Sequence, residues 1–477
     1  MELGWLFLVS ILKIAFVIGV LLLLFAPVLV LAERRQSAFS QDRLGPYMGG
    51  FPMPRALMDA LPYLQLGAYA VAALSAVLFV ISFGMVLAGS ADTVLFTEPV
   101  FGIRHTWGGL MVVFLPVAVV HLVLGKILPH LFFDGRLTMF GGLHALFDAV
   151  KAFTKEDIVP PHGDKLLHSI APIIAMVPAF ATAAVIPFGP TIYVDYLLEQ
   201  LPAEGAVGGT AIDVQVANLN VGILYIFAIA GTGIIGAAIA GYASDNKYSL
   251  LGGLRAASQM VSYEVTLGLS LVPMFMLYNS LMLPDMIEWQ REHVWGVFVN
   301  PIAFILFFAA SIAEYKRVPF DAPEGESEIV AGYFLEYSSG KWLMYMMGEF
   351  IEVAVSSAII AVLFLGGWDV PFLTRAGWEA FGWRLDFGGS SIELLRNFAV
   401  VSDVMNSHVF IVLVQIGAFL AKTMVLALIS IQIRWTLPRF RYDQIMSLCW
   451  KLILPVALVN ILVTGLLILF GQSIGWW

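Results

Sequence analysis

Long apolar runs, divided by short polar segments, organise this chain. About ten stretches are predominantly apolar over bilayer-crossing lengths: 3–31, 64–89, 107–128, 166–188, 215–242, 256–279, 294–315, 342–366, 408–432 and 452–475. A helix rises about 1.5 Å per residue, so roughly 20 such residues cross a hydrocarbon core about 30 Å thick. None shows the period of two that a barrel strand requires. In lipid the backbone must bond to itself, so helices are expected throughout. One further stretch differs. In GGLHALFDAVKAFTKEDIVPP (141–161), Leu143, Leu146, Phe147, Val150 and Phe153 share one helical face, with Asp148, Lys151 and Lys155 opposite. That pattern predicts an amphipathic helix lying in the interface.

Composition makes the membrane assignment firm. Of 477 residues, 60% are hydrophobic and 12% charged, where soluble domains carry about 25% charged residues. Mean hydropathy is +0.88. A soluble fold has nowhere to hide so much apolar surface, so the bilayer is the solvent. The net charge of −9 comes without any basic stripe, which argues against a nucleic-acid partner. The single cysteine, Cys449, excludes both a disulfide and an iron–sulfur cluster held by this chain alone. The apolar start is too long for a cleaved signal peptide and lacks a small-residue cleavage site, so it reads as a retained span.

Lysine and arginine set the orientation. With the N-terminus outside, Arg34, Arg35, Arg43, Lys151, Lys155, Lys316, Arg317, Arg439 and most other basic residues fall in cytoplasmic segments. Only Arg104, Arg291, Arg375, Arg384 and Arg396 fall outside, and Lys13 and Lys422 lie within spans. Both termini are therefore expected outside. There is no internal repeat, which counts against a repeat-built transporter. The eight histidines are not spaced as ligand sets, and no metal site is expected.

The acids are more informative. AEYKRVPFDAPEGESEIVAGYFLEYSSGKW (313–342) carries Glu314, Asp321, Glu324, Glu326, Glu328 and Glu336, against Lys316, Arg317 and Lys341. Crowded carboxylates raise one another's pKa and can pass protons near neutral pH. From charge alone, a solvated loop that docks a basic partner suits the pattern equally well. Glu264, Glu349 and Glu352 fall inside predicted spans. A carboxylate at that depth costs on the order of 3 kcal/mol, so it is kept for proton transfer or firmly paired. Lys13 and Lys422 are the candidate partners.

VPFDAPEGESEIVAGYFLEYSSGKW (318–342) resembles the PFDxPExExEL-x-x-GYxxEYS signature of the NuoH family, the quinone-site membrane subunits of respiratory complex I. SDNKYSLLGGLRAASQMVSYEVTLGLSL (244–271) resembles its second long motif. QDRLGP (41–46), FTKEDIVP (153–160), NLNVGILY (218–225) and RWTLPRFRYDQIMSLCWKLILPVALVN (434–460) match further, in the family's order.

The resemblance implies an all-α polytopic protein of the bacterial inner membrane, with eight family-type spans, an inserted hairpin and an interfacial helix. It implies a chamber that admits a quinone, whose head group is reduced in a neighbouring subunit. It also implies a carboxylate funnel linking that chamber to antiporter-like subunits. By motif match the funnel residues are Glu264, Glu314, Asp321, Glu324, Glu326, Glu328, Glu336 and Glu349, with Glu352 ranked lower. Arg34, Arg35 and Phe320 would line the chamber mouth. Quinone is then a substrate, with no cofactor held by this chain. The implied partners are the peripheral-arm quinone-site and iron–sulfur subunits, small membrane subunits, antiporter-like subunits and membrane lipid. The membrane subunit of a group 4 NiFe hydrogenase or F420H2 dehydrogenase is the nearest rival, and a free-standing ion transporter the next.

Two departures from the family stand out. After Pro46 the sequence diverges, and about 90 residues intervene before the amphipathic helix. The expected organisation is thus 1–46, first span and turn; 47–140, an insert with two spans; 141–477, amphipathic helix and seven-helix core. The outer loop 368–407 is also longer than the family's.

Overall fold

The structure, a computed structural model, describes residues 2–43, 45–46, 51–53, 55–87, 114, 117–127, 132–133, 136–137, 141–196, 210–374, 377–380, 383–384 and 407–474. Helices dominate. α1 (Glu2–Gly19), a π-helical turn (Val20–Phe25) and α2 (Ala26–Ser40) run on as one span. α3 (Arg55–Leu87), α4 (Val117–Ile127) and the amphipathic α5 (Leu143–Thr154) follow. The core contains α6 (Lys165–Ala183), α7 (Gly222–Ala243), α8 (Lys247–Tyr278) and α9 (Leu283–Glu292). Next come α10 (Gly296–Val299), α11 (Pro301–Glu314), α12 (Glu326–Ile329) and α13 (Ser339–Phe364). α14 (His408–Thr436), α15 (Tyr442–Leu448), a second π-helical turn (Cys449–Ile453) and α16 (Leu454–Ile474) close the chain.

Local chemistry starts these helices where they start. Asp164 accepts from the backbone N–H of Leu166 and Leu167 at the head of α6, and Asn246 from Tyr248 at the head of α8. Asn300 accepts from Ala303, with Pro301 in the first turn of α11. Each cap satisfies donors that the helix itself leaves orphaned.

α13 is the hub. It packs on α2, α5, α6, α9, α11 and α14, while α8 packs on α7, α11 and α16. Within the span windows, 83% of α13 is buried against 22% of α3. Acids on α13 and α8 thus sit inside the bundle rather than in lipid. Small residues bring the helices close: a methyl on Gly236 of α7 would lie 2.6 Å from the Ala175 nitrogen of α6.

The segment after Pro46 leaves and returns to one place. Strands β1 (Phe51–Pro52) and β2 (Phe132–Phe133) both pair antiparallel with β3 (Arg136–Leu137). Gly141, at φ +84°, lies against the carbonyl of Pro46, where a side chain would collide. Tyr69 of α3 lies over Gly125 of α4.

The chain is an all-α polytopic membrane protein, as its apolar pattern predicts, although span lengths differ in places. Eight described helices are long and apolar enough to cross a membrane, while Val117–Ile127 and Pro301–Glu314 are shorter. The stretch read as one span over 294–315 is broken at Asn300, because Pro301 has no N–H to continue the ladder. α8 begins nine residues before the apolar run at 256, since the Asn246 cap starts it ahead of the charged Lys247 and Arg255. Residues 107–113, 115–116 and 128 of the third predicted span lie outside the described residues, as do Asp92, Glu98, Arg104 and most of 368–407.

Candidate functional site

The loop between α11 and α13 does not project into water. It folds back under the bundle. Lys316, at φ +57°, turns the chain at the end of α11. The Gln259 amide of α8 then donates to Ala313 O at 2.9 Å and Phe320 O at 2.6 Å. Phe320 is held between Tyr263 and Phe440, with ring centroids 5.8 and 5.7 Å away. Gly332, at φ +63°, leaves no room for a side chain beside Pro323, and its backbone rests on Gly252 of α8. Consequently Lys316, Arg317 and Asp321 are 5%, 8% and 2% exposed, and Glu349 of α13 is 4% exposed.

Burial at this density demands pairing. Arg317 Nη1 lies 2.6 Å from Glu33 Oε2, and its Nη2 lies 3.8 Å from Glu349 Oε2. Arg434 holds the other oxygen of Glu33. Tyr333 OH donates to Glu349 Oε1 at 3.1 Å, and the Glu324 carboxyl lies beside that of Glu349. Arg439 Nη2 meets Asp321 Oδ2 at 2.6 Å, and Lys316 Nζ meets Glu352 Oε2 at 3.7 Å. Deeper in the bundle, Glu264, Glu314 and Glu352 wall one cavity of about 80 Å³ with Ser311, Tyr315 and Ser356. That volume accommodates several waters. Glu264 Oε1 and Glu314 Oε2 are buried without a hydrogen-bond partner among the described residues.

The loop groups are electrostatically poised. Burial outweighs Arg439 at Asp321 and, with Glu349 adding to it, pushes that carboxyl up to about 6. Glu324 is driven well above the usual carboxylate range by burial, then by Glu349 and Asp321. Burial pulls Lys316 down, but Glu352, Glu349, Glu314 and Glu324 together hold it above its ordinary value, so it stays charged. The result is a row of acids interrupted by fixed cations. Such a row transmits a charge change at one end as a protonation change along it.

Glu264, Glu314, Asp321, Glu324, Glu349 and Glu352 come together in this row. Glu352, ranked lower from sequence, sits in the middle of it. Glu328 instead bridges to Arg255 at 2.6 Å at the surface, and Glu336 accepts from Asn246 at 2.7 Å. The side chain of Glu326 lies outside the described residues. Arg34 bridges Asp148 of α5 at 2.6 Å and, with the Glu33–Arg434 pair, edges a cavity of about 680 Å³ between α2 and α14. Arg35 is half-buried next to it, whereas Phe320 is fully inside.

Lys422 is not a partner for Glu264, Glu349 or Glu352. Its ammonium donates to Leu365, Gly367 and Asp369 carbonyls at 2.7, 3.1 and 2.6 Å, capping the C-terminal end of α13. Glu33, Arg434, Arg439 and Tyr333 were invisible as site residues. Arg317 bonds Glu33 across 284 positions and Arg434 does so across 401, so no local pattern joins them. The one hint was an acid immediately before Arg34 at a span end.

Comparison with known proteins adds a lineage to this geometry. A family model described as NADH dehydrogenase matches residues 134–465. An H-type subunit of the NADH-quinone oxidoreductase of Geobacter sulfurreducens is 42% identical over 334 residues, covering 70% of this chain and 84% of the relative. Its counterpart in Cytophaga hutchinsonii is 37% identical, covering 70% and 86%. That of Thermomicrobium roseum is 38% identical over 345 residues, with coverage of 70% and 86%.

Proposed function

The chain belongs to the NADH dehydrogenase family, alongside the H-type subunits of NADH-quinone oxidoreductase, and from that premise we propose that it frames the quinone chamber of a proton-pumping NADH:quinone oxidoreductase. The row of charged groups from Glu33 through Arg317, Glu349, Lys316 and Glu352 to the cavity walled by Glu314 and Glu264 supports this reading most directly, because it leads from the end of the first span to the bundle centre. The opening between α2 and α14, edged by Arg34 and Arg434, suits entry of a lipid-soluble quinone. With one cysteine the chain lacks the ligands for a cluster of its own, so electrons arrive from iron–sulfur partner subunits.

Reducing a quinone head group consumes two electrons and two protons. The charge that develops next to the chamber acts on Asp321, which burial raises to about 6, and on Glu324, which burial drives well above the usual carboxylate range. Glu349, Lys316 and Glu352 carry the change to Glu314 and Glu264, and from there to antiporter-like subunits. On this reading the protein sits in the bacterial inner membrane with both termini outside. Asp321→Asn or Glu324→Gln is expected to lower quinone reduction and proton pumping together in purified complex, with assembly intact. Wild-type turnover and pumping in those variants would remove both residues from the path.

A further inference from the structure

A second cavity, of about 340 Å³, lies between α5 and the start of α13, and the carboxylate row does not use it. Lys151, Lys155, Ser338, Ser339 and Trp342 wall it, beside the Arg34–Asp148 pair. Lys151 and Lys155 are four positions apart at the C-terminal end of α5. Both are exposed, and neither has an ion-pair partner among the described residues. The negative end of a helix dipole favours a lysine there. It does not account for a shaped cavity lined by two of them.

The rim is held in place. Ser338 Oγ donates to Glu156 O at 3.1 Å and accepts from Ile158 N–H at 2.9 Å, while Ser339 Oγ donates to Ala152 O at 3.1 Å. Of the acids around the cavity, Asp148 is paired with Arg34 at 2.6 Å and Asp157 with Lys341 at 2.9 Å, while the exposed Glu156 is not among the residues that line it. The free charge facing the cavity is therefore positive. On the other side α5 leaves Leu146, Val150 and Phe153 exposed, and Trp342 is exposed at the cytoplasmic end of α13. Cations, an interfacial indole and exposed apolar side chains together match the chemistry of a phospholipid from headgroup to acyl chain.

We propose that this cavity binds the phosphate headgroup of an anionic membrane phospholipid, with Lys151 and Lys155 pairing to the phosphate and Trp342 at the glycerol level. The acyl chains run along Leu146, Val150 and Phe153. The lipid would then tie α5 to α13 at the bilayer surface. The site depends on the membrane reading alone and on no step of quinone chemistry.

The test uses the purified full-length chain in a neutral detergent, with bound lipid counted by native mass spectrometry. Phosphatidylglycerol is expected to bind roughly 10-fold or more tightly than phosphatidylcholine. Lys151→Gln/Lys155→Gln should abolish that preference, and Lys151→Arg/Lys155→Arg should keep it. Millimolar inorganic phosphate should not displace the lipid. Equal binding of the two lipids, or an unchanged preference in the glutamine variant, overturns the proposal. So does loss of preference in the arginine variant, since charge would then not be what recognises the headgroup. Displacement by inorganic phosphate would assign the cavity to a free anion instead.

Discussion

Arg317 holds Glu33 and Glu349 at once while only 8% exposed. Removing it as Arg317→Leu leaves Glu349 without its ion-pair partner and Glu33 with Arg434 alone, and breaking a buried pair typically costs about 3–5 kcal/mol. A clearly lower unfolding midpoint in detergent is expected, partly restored by adding Glu349→Gln; an unchanged midpoint would show that the pairing carries no stability. Asp321 makes the pH prediction. Its carboxyl moves from 3.8 to about 6 on folding, so the folded state takes up the proton more readily. The associated stability is complete below about pH 4 and is lost as pH rises through about 6, on the order of 3 kcal/mol in all. Asp321→Asn should flatten that slope in midpoint-against-pH measurements. Glu264→Gln should impair coupled activity more than Glu264→Asp, which keeps a titratable group; if both pump normally, Glu264 is a packing residue. Acids at these positions were legible because charge inside an apolar run is conspicuous. Their cations were not, because Lys316, Arg317 and Arg439 look like ordinary orientation charges until the loop folds inward.

At the scale of elements, the 47–140 segment is the part that family resemblance explains least. Pro46 and Gly141 touch, and β1 pairs with β3 just inside that junction. A chain that exits and re-enters at one point can be cut there without stretching its neighbours. Deleting 47–140 and joining Pro46 to Gly141 is therefore expected to leave the remaining helices membrane-inserted, with thermal stability within a few degrees of the full chain. Aggregation or loss of insertion would show that the segment is part of the core. Among the described residues it also meets α5, where Phe51 packs edge-on against Phe147 at 5.3 Å. Hydropathy found the amphipathic α5 and the long helices because their signal is periodic. It missed the break before α11 and the early start of α8, because a proline and an asparagine cap act through single hydrogen bonds that averaging over a window erases.

For the whole molecule, the predicted topology rests on the asymmetry of lysine and arginine, and one reagent can test it. Cys449, the only cysteine, is buried, so it should contribute little background labelling. A cysteine introduced at Thr93, which lies outside the described residues, is expected to react with a membrane-impermeant maleimide from the outer side of sealed vesicles. Labelling only from the cytoplasmic side would invert the hairpin. The clasp at Glu33 has a different kind of consequence. Its two arginines are separated from it by 284 and 401 positions. At about 5–20 residues per second, a ribosome needs roughly 20–80 s between making Glu33 and making Arg434. Until Arg317 is made, after roughly 14–57 s at that rate, the first span waits in the bilayer with its acid unanswered, and the second arginine follows only with α14. The Glu33 end of the bundle locks late, when α14 emerges, so the order of synthesis decides when this protein becomes closed.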